Sequence, residues 1–264
     1  MERTTMIADR LSVACEAARR GGEYLLEAGR TAAFSVHEKA ANDFVTESDS
    51  ACEAIIIGAI KEHFPGDGIF AEESGSKAGA NGRWIIDPID GTVNFARSIP
   101  NYTISIAWEL EPYHPLVGVV YNPRQDELFW ASSGNGAYLN GEPITVSSVS
   151  DPAYALLATV PPHRHRELYE EYALRLRRLV HGTSDLRSYG SCALEMAYIA
   201  AGRLDAYYEM CLGYYDMAAG LALVREAGGM GSPACEAVPF TDGRCDLVAS
   251  NGLIHHEILH MVQQ

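Results

Sequence analysis

Apolar and polar positions recur with two different periods along this chain, and the change from one to the other marks its elements. Over residues 6–28, Leu11, Cys15, Ala18, Gly22 and Leu25 keep a three- and four-residue stripe, which predicts a helix stopped near Gly29. Residues 34–37 read as a short strand. Thr46-Glu47-Ser48-Asp49 has the form of a capping box. The helix it opens carries Ile55, Ile56, Ala59 and Ile60 and ends at Phe64-Pro65-Gly66. Strands at 68–71 and 83–87 then flank a polar, glycine-rich loop at 74–82.

The next runs, 103–110, 116–121 and 127–131, are rich in β-formers and separated by turn residues, as in an antiparallel meander. Ser133-Gly134-Asn135-Gly136 and Asn140-Gly141 read as hairpin turns. Past about residue 150 the rhythm alternates strand and helix. Strands are expected at 155–160, 204–209 and 246–250, and helices at 167–180, 193–201, 217–227 and from the last strand to Val262. The expectation is an α+β part over 1–148 and an α/β part over 149–264. No Pro/Ser-rich linker marks the seam near 145–152, so the two should pack as one compact unit.

Composition narrows the class. Of 264 residues, 47% are hydrophobic and 21% charged, the balance of a globular chain with a sizeable core. No window approaches the roughly 18 uninterrupted apolar residues of a membrane span. The first residues lack a basic region followed by an apolar one, so no signal peptide and a cytoplasmic location are expected. Six cysteines are scattered without a CxxC pair, which predicts reduced thiols. A net charge of −15 should repel nucleic acid backbones and anionic lipid, so neither is expected as a partner. The same field repels a phosphate substrate unless bound divalent cations reverse it locally.

The candidate chemistry begins at Trp84-Ile85-Ile86-Asp87-Pro88-Ile89-Asp90-Gly91-Thr92. An apolar strand ends in two carboxylates, at the end of a sheet where ligands tend to bind. Pro88 stiffens the turn, and Gly91 admits a close backbone approach. A helix or turn opening at Thr92 would offer the amides of Gly91 and Thr92 to a phosphate. Two neighbouring carboxylates repel, so one takes a proton or a cation sits between them. Oxygen ligands of this kind suit Mg²⁺, and the Ile89 carbonyl is a further oxygen. A capped turn with two solvated aspartates is the other reading. Phe70-Ala71-Glu72-Glu73-Ser74 is a second strand ending in acids, either another ligand or a solvated edge.

These runs, together with Val93-Asn94-Phe95 and the distant Tyr215-Asp216-Met217-Ala218-Ala219-Gly220, resemble the inositol monophosphatase family of Mg²⁺-dependent, lithium-sensitive phosphatases. Asp43-Phe44-Val45-Thr46, Gly190-Ser191-Cys192-Ala193 and Asp205-Ala206-Tyr207-Tyr208-Glu209 match as well, so the similarity spans nearly the whole chain. The resemblance implies a layered αβαβα sandwich of the inositol monophosphatase/fructose-1,6-bisphosphatase type, with the main metal motifs in 1–148 and Glu209 and Asp216 in 149–264. It implies two or three Mg²⁺ ions. Glu72, Asp87 and the Ile89 carbonyl would hold the first, Asp87, Asp90 and Asp216 the second, and Glu72 would help hold a third. Thr92, oriented by Asp49, would work with Glu72 to activate water. Asp90, Gly91, Thr92, Gly190, Ser191, Cys192, Glu209 and Asp216 would meet the substrate, inositol 1-phosphate or a similar polyol monophosphate. A homodimer is the family-level expectation.

Departures from the family pattern are Tyr215 for Trp, Ala71 for Gly, Ser191-Cys192 for Thr-Ala, and Gly213 where some members carry a bulkier polar residue. Several border the alcohol side and bear on the substrate. Histidinol phosphate, fructose 1,6-bisphosphate and 3′-phosphoadenosine phosphate are alternatives within the family. A bisphosphate needs a second anion pocket. The sequence near Glu209 is mostly Tyr, Met and Leu, which favours a neutral polyol, while Arg187 and Arg203 keep the alternative open. A haloacid dehalogenase-type aspartyl nucleophile is disfavoured, because that motif is D-x-D and here the spacing is Asp87-x-x-Asp90. A non-catalytic cation- or phosphate-binding regulator is the remaining reading. His255, His256 and His260 are read as part of a surface helix rather than a zinc site. Pro161-Pro162-His163-Arg164-His165-Arg166, with Arg175, Arg177 and Arg178, is read as a solvated basic face. Lys39 is either a surface lysine or, by resemblance, near the cation site.

Overall fold

The computed structural model describes residues 2–31, 36–40, 43–235 and 239–263. Helix α1 (Glu2–Thr31) extends the expected stripe at both ends through polar turns that periodicity does not mark. Strands β1 (Val36–Ala40) and β2 (Asp43–Thr46) pair antiparallel, and α2 (Glu47–His63) follows. Residues 34 and 35 of the expected strand, and the Lys39 side chain, lie outside what is described. Next come β3 (Gly68–Ala71), β4 (Gly75–Lys77), β5 (Arg83–Asp90), the short α3 (Thr92–Ala96), β6 (Thr103–Glu109), β7 (Pro115–Asn122), β8 (Glu127–Ser132), β9 (Ala137–Leu139) and β10 (Glu142–Ile144). Then follow β11 (Leu156–Val160), α4 (Tyr169–Gly182), β12 (Asp185–Arg187), α5 (Cys192–Ala200), β13 (Ala206–Gly213), α6 (Tyr214–Glu226), β14 (Met230–Pro233), β15 (Arg244–Ser250) and α7 (His255–Gln263).

An eight-stranded sheet runs β10-β9-β8-β7-β6-β5-β3-β4, antiparallel except for the parallel pair β3–β5. The β9–β10 turn is Asn140-Gly141, with φ of 51° and 88°, the left-handed pair that a two-residue hairpin demands. A five-stranded sheet runs β12-β11-β13-β15-β14, with β11 parallel to both neighbours and β15 antiparallel to both of its own. Strand β4 replaces part of the loop expected at 74–82. Strands β12 and β14 were also unmarked, because three or four residues are too few to show a period of two.

Side-chain alternation on the strands builds five layers. Trp84 and Ile86 of β5 pack with Ile56 and Ile60 of α2 and Ala14 and Leu25 of α1. Ile85, between them, faces the other way, into a core shared with α5, α6 and Tyr207 of β13. Ala206 and Tyr208 turn outward to Tyr172 and Leu179 of α4 and Ile258 and Val262 of α7. The order is therefore α1/α2, first sheet, α5/α6, second sheet, α4/α7. Both sheets are covered on both faces, which is why their strands read as continuous apolar runs. Helix α6 lies hard against β7: a Cβ on Gly118 would sit 2.5 Å from the Ala219 carbonyl oxygen. All six cysteines are free. Among the described residues, no helix is long and apolar enough to cross a membrane.

Candidate active site

The parallel pairing of β3 with β5 sets Ala71 opposite Ile86, so the acids that follow each strand emerge side by side. The Glu72 amide donates to the Ile86 carbonyl at 3.1 Å. Beyond that point β5 carries one residue more than β6: Asp87 pairs with Ser105, but Asp90 pairs with Thr103. In an unbroken strand, residues three apart point to opposite faces. The extra residue at Pro88-Ile89 is a bulge that re-aims Asp90 to the side of Asp87.

Asp216 arrives from the first turn of α6, where its Oδ2 accepts the Gly213 amide at 2.7 Å. Helix α6 starts at Tyr214, three residues ahead of the expected 217. Asp87, Asp90 and Asp216 are all buried, and one carboxylate oxygen from each lies within 4.8 Å of the others. Glu72, half-buried, and Ile89 line the same pocket.

Burial pushes the Asp87 carboxyl well above its ordinary range, and Glu72, Asp90 and Asp216 add to the shift. Burial, then Asp216, pushes Asp90 up to about 7, against hydrogen bonds from Ser191 and α5 amides. Burial also raises Asp216, opposed by the nearby Arg164, the Gly213 amide and Arg244. Three buried carboxylates this close either share protons or hold a cation. Hard oxygen donors without nitrogen or sulfur suit Mg²⁺, so the residues present fit the ions that the fold implies.

The Thr92 hydroxyl is within hydrogen-bonding distance of Asp49 Oδ1 (3.2 Å) and the Ile89 carbonyl (3.1 Å), which ties α3 to α2. Gly91 has φ of 96°, and a Cβ there would stand 3.0 Å from the Asn101 carbonyl oxygen, so glycine is required on both counts. Asn94 Nδ2 donates to the carbonyls of Asn101 (2.6 Å) and Tyr189 (2.7 Å), clamping α3 to the segment before α5. Gly190, Cys192 and Glu209 line the pocket. Glu209 accepts the Tyr207 hydroxyl, and burial raises its carboxyl well above the usual range. Ser191 departs from its expected place: it is buried, with Oγ on Asp90 at 2.7 Å, so it braces that carboxylate instead of forming the wall.

Three expectations about basic residues need correction. The segment 163–166 is no solvated helix face, since it forms one wall of this cavity of about 540 Å³, joined by Arg244. Arg187 pairs with Asp185 and Arg203 with Glu127, and neither lines the cavity. The pocket is therefore richer in cations than the Tyr, Met and Leu around Glu209 imply. Sequence reasoning also passed over Glu195, buried on α5 with its carboxyl pushed up to about 8 by burial. Its one signal is an acid in the otherwise apolar run Cys192-Ala193-Leu194-Glu195-Met196-Ala197. His256 and His260 are exposed on α7, but His255, expected beside them on a surface helix, is buried against Ser232 and Ser250, because α7 packs one face on the second sheet.

The model of the inositol monophosphatase family matches residues 6–264. The chain belongs to the inositol monophosphatase family. It is 39% identical over 244 residues to the Nus factor SuhB of Escherichia coli (strain K12), covering 91% of this chain and 89% of that protein. It is 40% identical over 239 residues to inositol monophosphatase 1 of Solanum lycopersicum, covering 87% and 86%. The crystal structure of the extragenic suppressor protein suhB from Bartonella henselae superposes with a TM-score of 0.90 at 32% identity, covering 97% of this chain and 99% of that one. The five-layer architecture is the one the family resemblance implies.

Proposed function

We propose that this chain is a Mg²⁺-dependent phosphomonoesterase that hydrolyses a polyol or sugar monophosphate, inositol 1-phosphate being the reference substrate. The observation that carries the reading is the convergence of Asp87, Asp90 and Asp216 within 4.8 Å, in a pocket that Glu72 and Thr92 also line. Glu72, Asp87, the Ile89 carbonyl, Asp90 and Asp216 are the groups that would hold two or three ions. Bound there, divalent cations neutralise phosphoryl charge and acidify water.

The remaining work falls to the chain's own groups. Glu72 accepts the proton of the attacking water, and Thr92, fixed by Asp49, orients that water towards phosphorus. The amides of Gly91 and Thr92 hold phosphoryl oxygens, and Glu209 binds hydroxyls of the alcohol. The phosphorus–oxygen bond to the alcohol breaks as the water oxygen bonds, and the leaving alkoxide takes a proton from solvent water, with no covalent phosphoenzyme. The test is a panel of phosphomonoesters assayed with and without Mg²⁺ and Li⁺. Turnover that needs Mg²⁺ and falls with Li⁺ is expected, and turnover surviving metal chelation would sink the reading.

A second reading, a binding protein that acts through a partner, is supported by the name Nus factor borne by the SuhB relatives. The retention of every acid named above together with Thr92 favours the enzyme.

A further inference from the structure

The basic wall that shares this cavity with the acid cage is a local reversal of charge in a chain of net charge −15. Pro161 and Pro162 end β11 and fix the start of the loop. Successive turns then hold it: the His163 amide donates to the Pro161 carbonyl (2.8 Å), that of His165 to Pro162 (3.0 Å) and that of Leu168 to His165 (3.0 Å). Arg164 and Arg166 are thus presented from an ordered loop. Arg244 comes from the second sheet, with one guanidinium donor committed to the Cys211 carbonyl at 2.9 Å. All three share the cavity with Glu209, Met210 and Cys211, the side assigned to the alcohol.

A phosphoryl group at the acid cage would be met by bound cations, and although Arg164 and Arg244 also act on Asp216, a neutral alcohol offers no charge to a wall that carries three guanidinium groups. Their planar forks match phosphoryl and carboxylate oxygens. We propose that Arg164, Arg166 and Arg244 form a second anion subsite, and that the preferred substrate is a phosphomonoester whose alcohol part bears a further phosphoryl or carboxylate group. The proposal rests on the hydrolase reading above. It also disfavours a cationic alcohol such as histidinol, which this wall repels.

The test compares two matched pairs on the full chain with Mg²⁺: fructose 1-phosphate against fructose 1,6-bisphosphate, and glycerol 2-phosphate against 2-phosphoglycerate. The expected result is a kcat/KM about tenfold or more higher for the doubly anionic member of at least one pair, mainly through KM. The pair that shows it separates a phosphoryl from a carboxylate preference. In the double variant Arg164→Gln/Arg166→Gln the ratio should fall towards one, and Arg164→Lys/Arg166→Lys should restore part of it. Wild-type ratios near one in both pairs, with the neutral esters still turned over, overturn the subsite and leave the hydrolase reading standing. An equal loss on both members of a pair in the variant also overturns it, because that is how a mere counter-charge for the acid cage behaves. No turnover of the four esters while inositol 1-phosphate is still hydrolysed overturns the subsite alone, and no turnover of inositol 1-phosphate either removes both readings.

Discussion

Ser191 Oγ donates to Asp90 Oδ2 at 2.7 Å, across 101 residues of sequence. The Ala193 amide adds a second donor to the same oxygen at 2.6 Å. Both bonds favour the charged carboxylate, so they oppose the burial that would keep Asp90 protonated. Ser191→Ala should therefore raise the proton affinity of Asp90 and weaken Mg²⁺ binding at neutral pH by about threefold to tenfold. Calorimetric titration with Mg²⁺ at pH 7 and at pH 8.5 checks it, the deficit shrinking at the higher pH.

Asp90→Asn keeps an acceptor for Ser191 and Ala193 but removes a charge from the cage. Mg²⁺-dependent turnover should collapse, while the apo protein unfolds at the same temperature or higher, because one repulsive carboxylate is gone. Thermal melts with and without Mg²⁺, set beside kinetics, measure both. A variant with near-normal turnover would count against Asp90 as a ligand.

Thr92→Ala deletes the hydroxyl that spans Asp49 and Ile89 and touches no carboxylate of the cage. Mg²⁺ affinity should persist while kcat falls by roughly 10²–10⁴, the range of a lost proton-handling group. Thr92→Ser should recover much of the rate.

Asp90 in the folded, metal-free chain titrates near 7, above the ordinary value of 3.8. A raised pKa means the folded state binds the proton more tightly than the unfolded one. The resulting stability is complete below about pH 4 and is lost as pH rises through 7. Apo protein should lose thermal stability between about pH 4 and 7, and the stabilisation given by Mg²⁺ should grow over the same interval. Melting in chelator and in Mg²⁺ across that range tests the sign.

His255 works in the opposite direction. It is buried between Ser232 and Ser250, 2.9 Å from each hydroxyl, and burial pushes its imidazole down to about 4 from 6.5. The folded state holds the neutral ring, so stability is present above pH 6.5 and is lost as pH falls towards 4, by up to roughly 3 kcal/mol in all. His255→Gln should flatten the acid limb of a stability–pH curve, at a constant cost of about 1–2 kcal/mol near neutrality.

The long apolar runs were legible because the central strands are buried on both faces, and the later hairpins because their turns carry Gly and Asn. The acid cage was only half legible. A period of two places Asp87 and Asp90 on opposite faces, and the bulge that reunites them shows only in the register of β5 against β6. The Asp49–Thr92 contact joins residues 43 apart, so family resemblance, not spacing, pointed to it. The basic wall was missed because Arg164 and Arg244 meet only through the order of strands in the second sheet, which brings β11 and β15 to either side of β13.

Asp87 and Asp90 lie at the end of one sheet, whereas Asp216 and the Ser191 clamp come from the helices that this sheet shares with the other. During synthesis the first two acids are made long before the third. A chain that stops ahead of residue 216 has only part of this acid set, so a cation that needs all three carboxylates would be captured only after α6 is made and has packed between the two sheets.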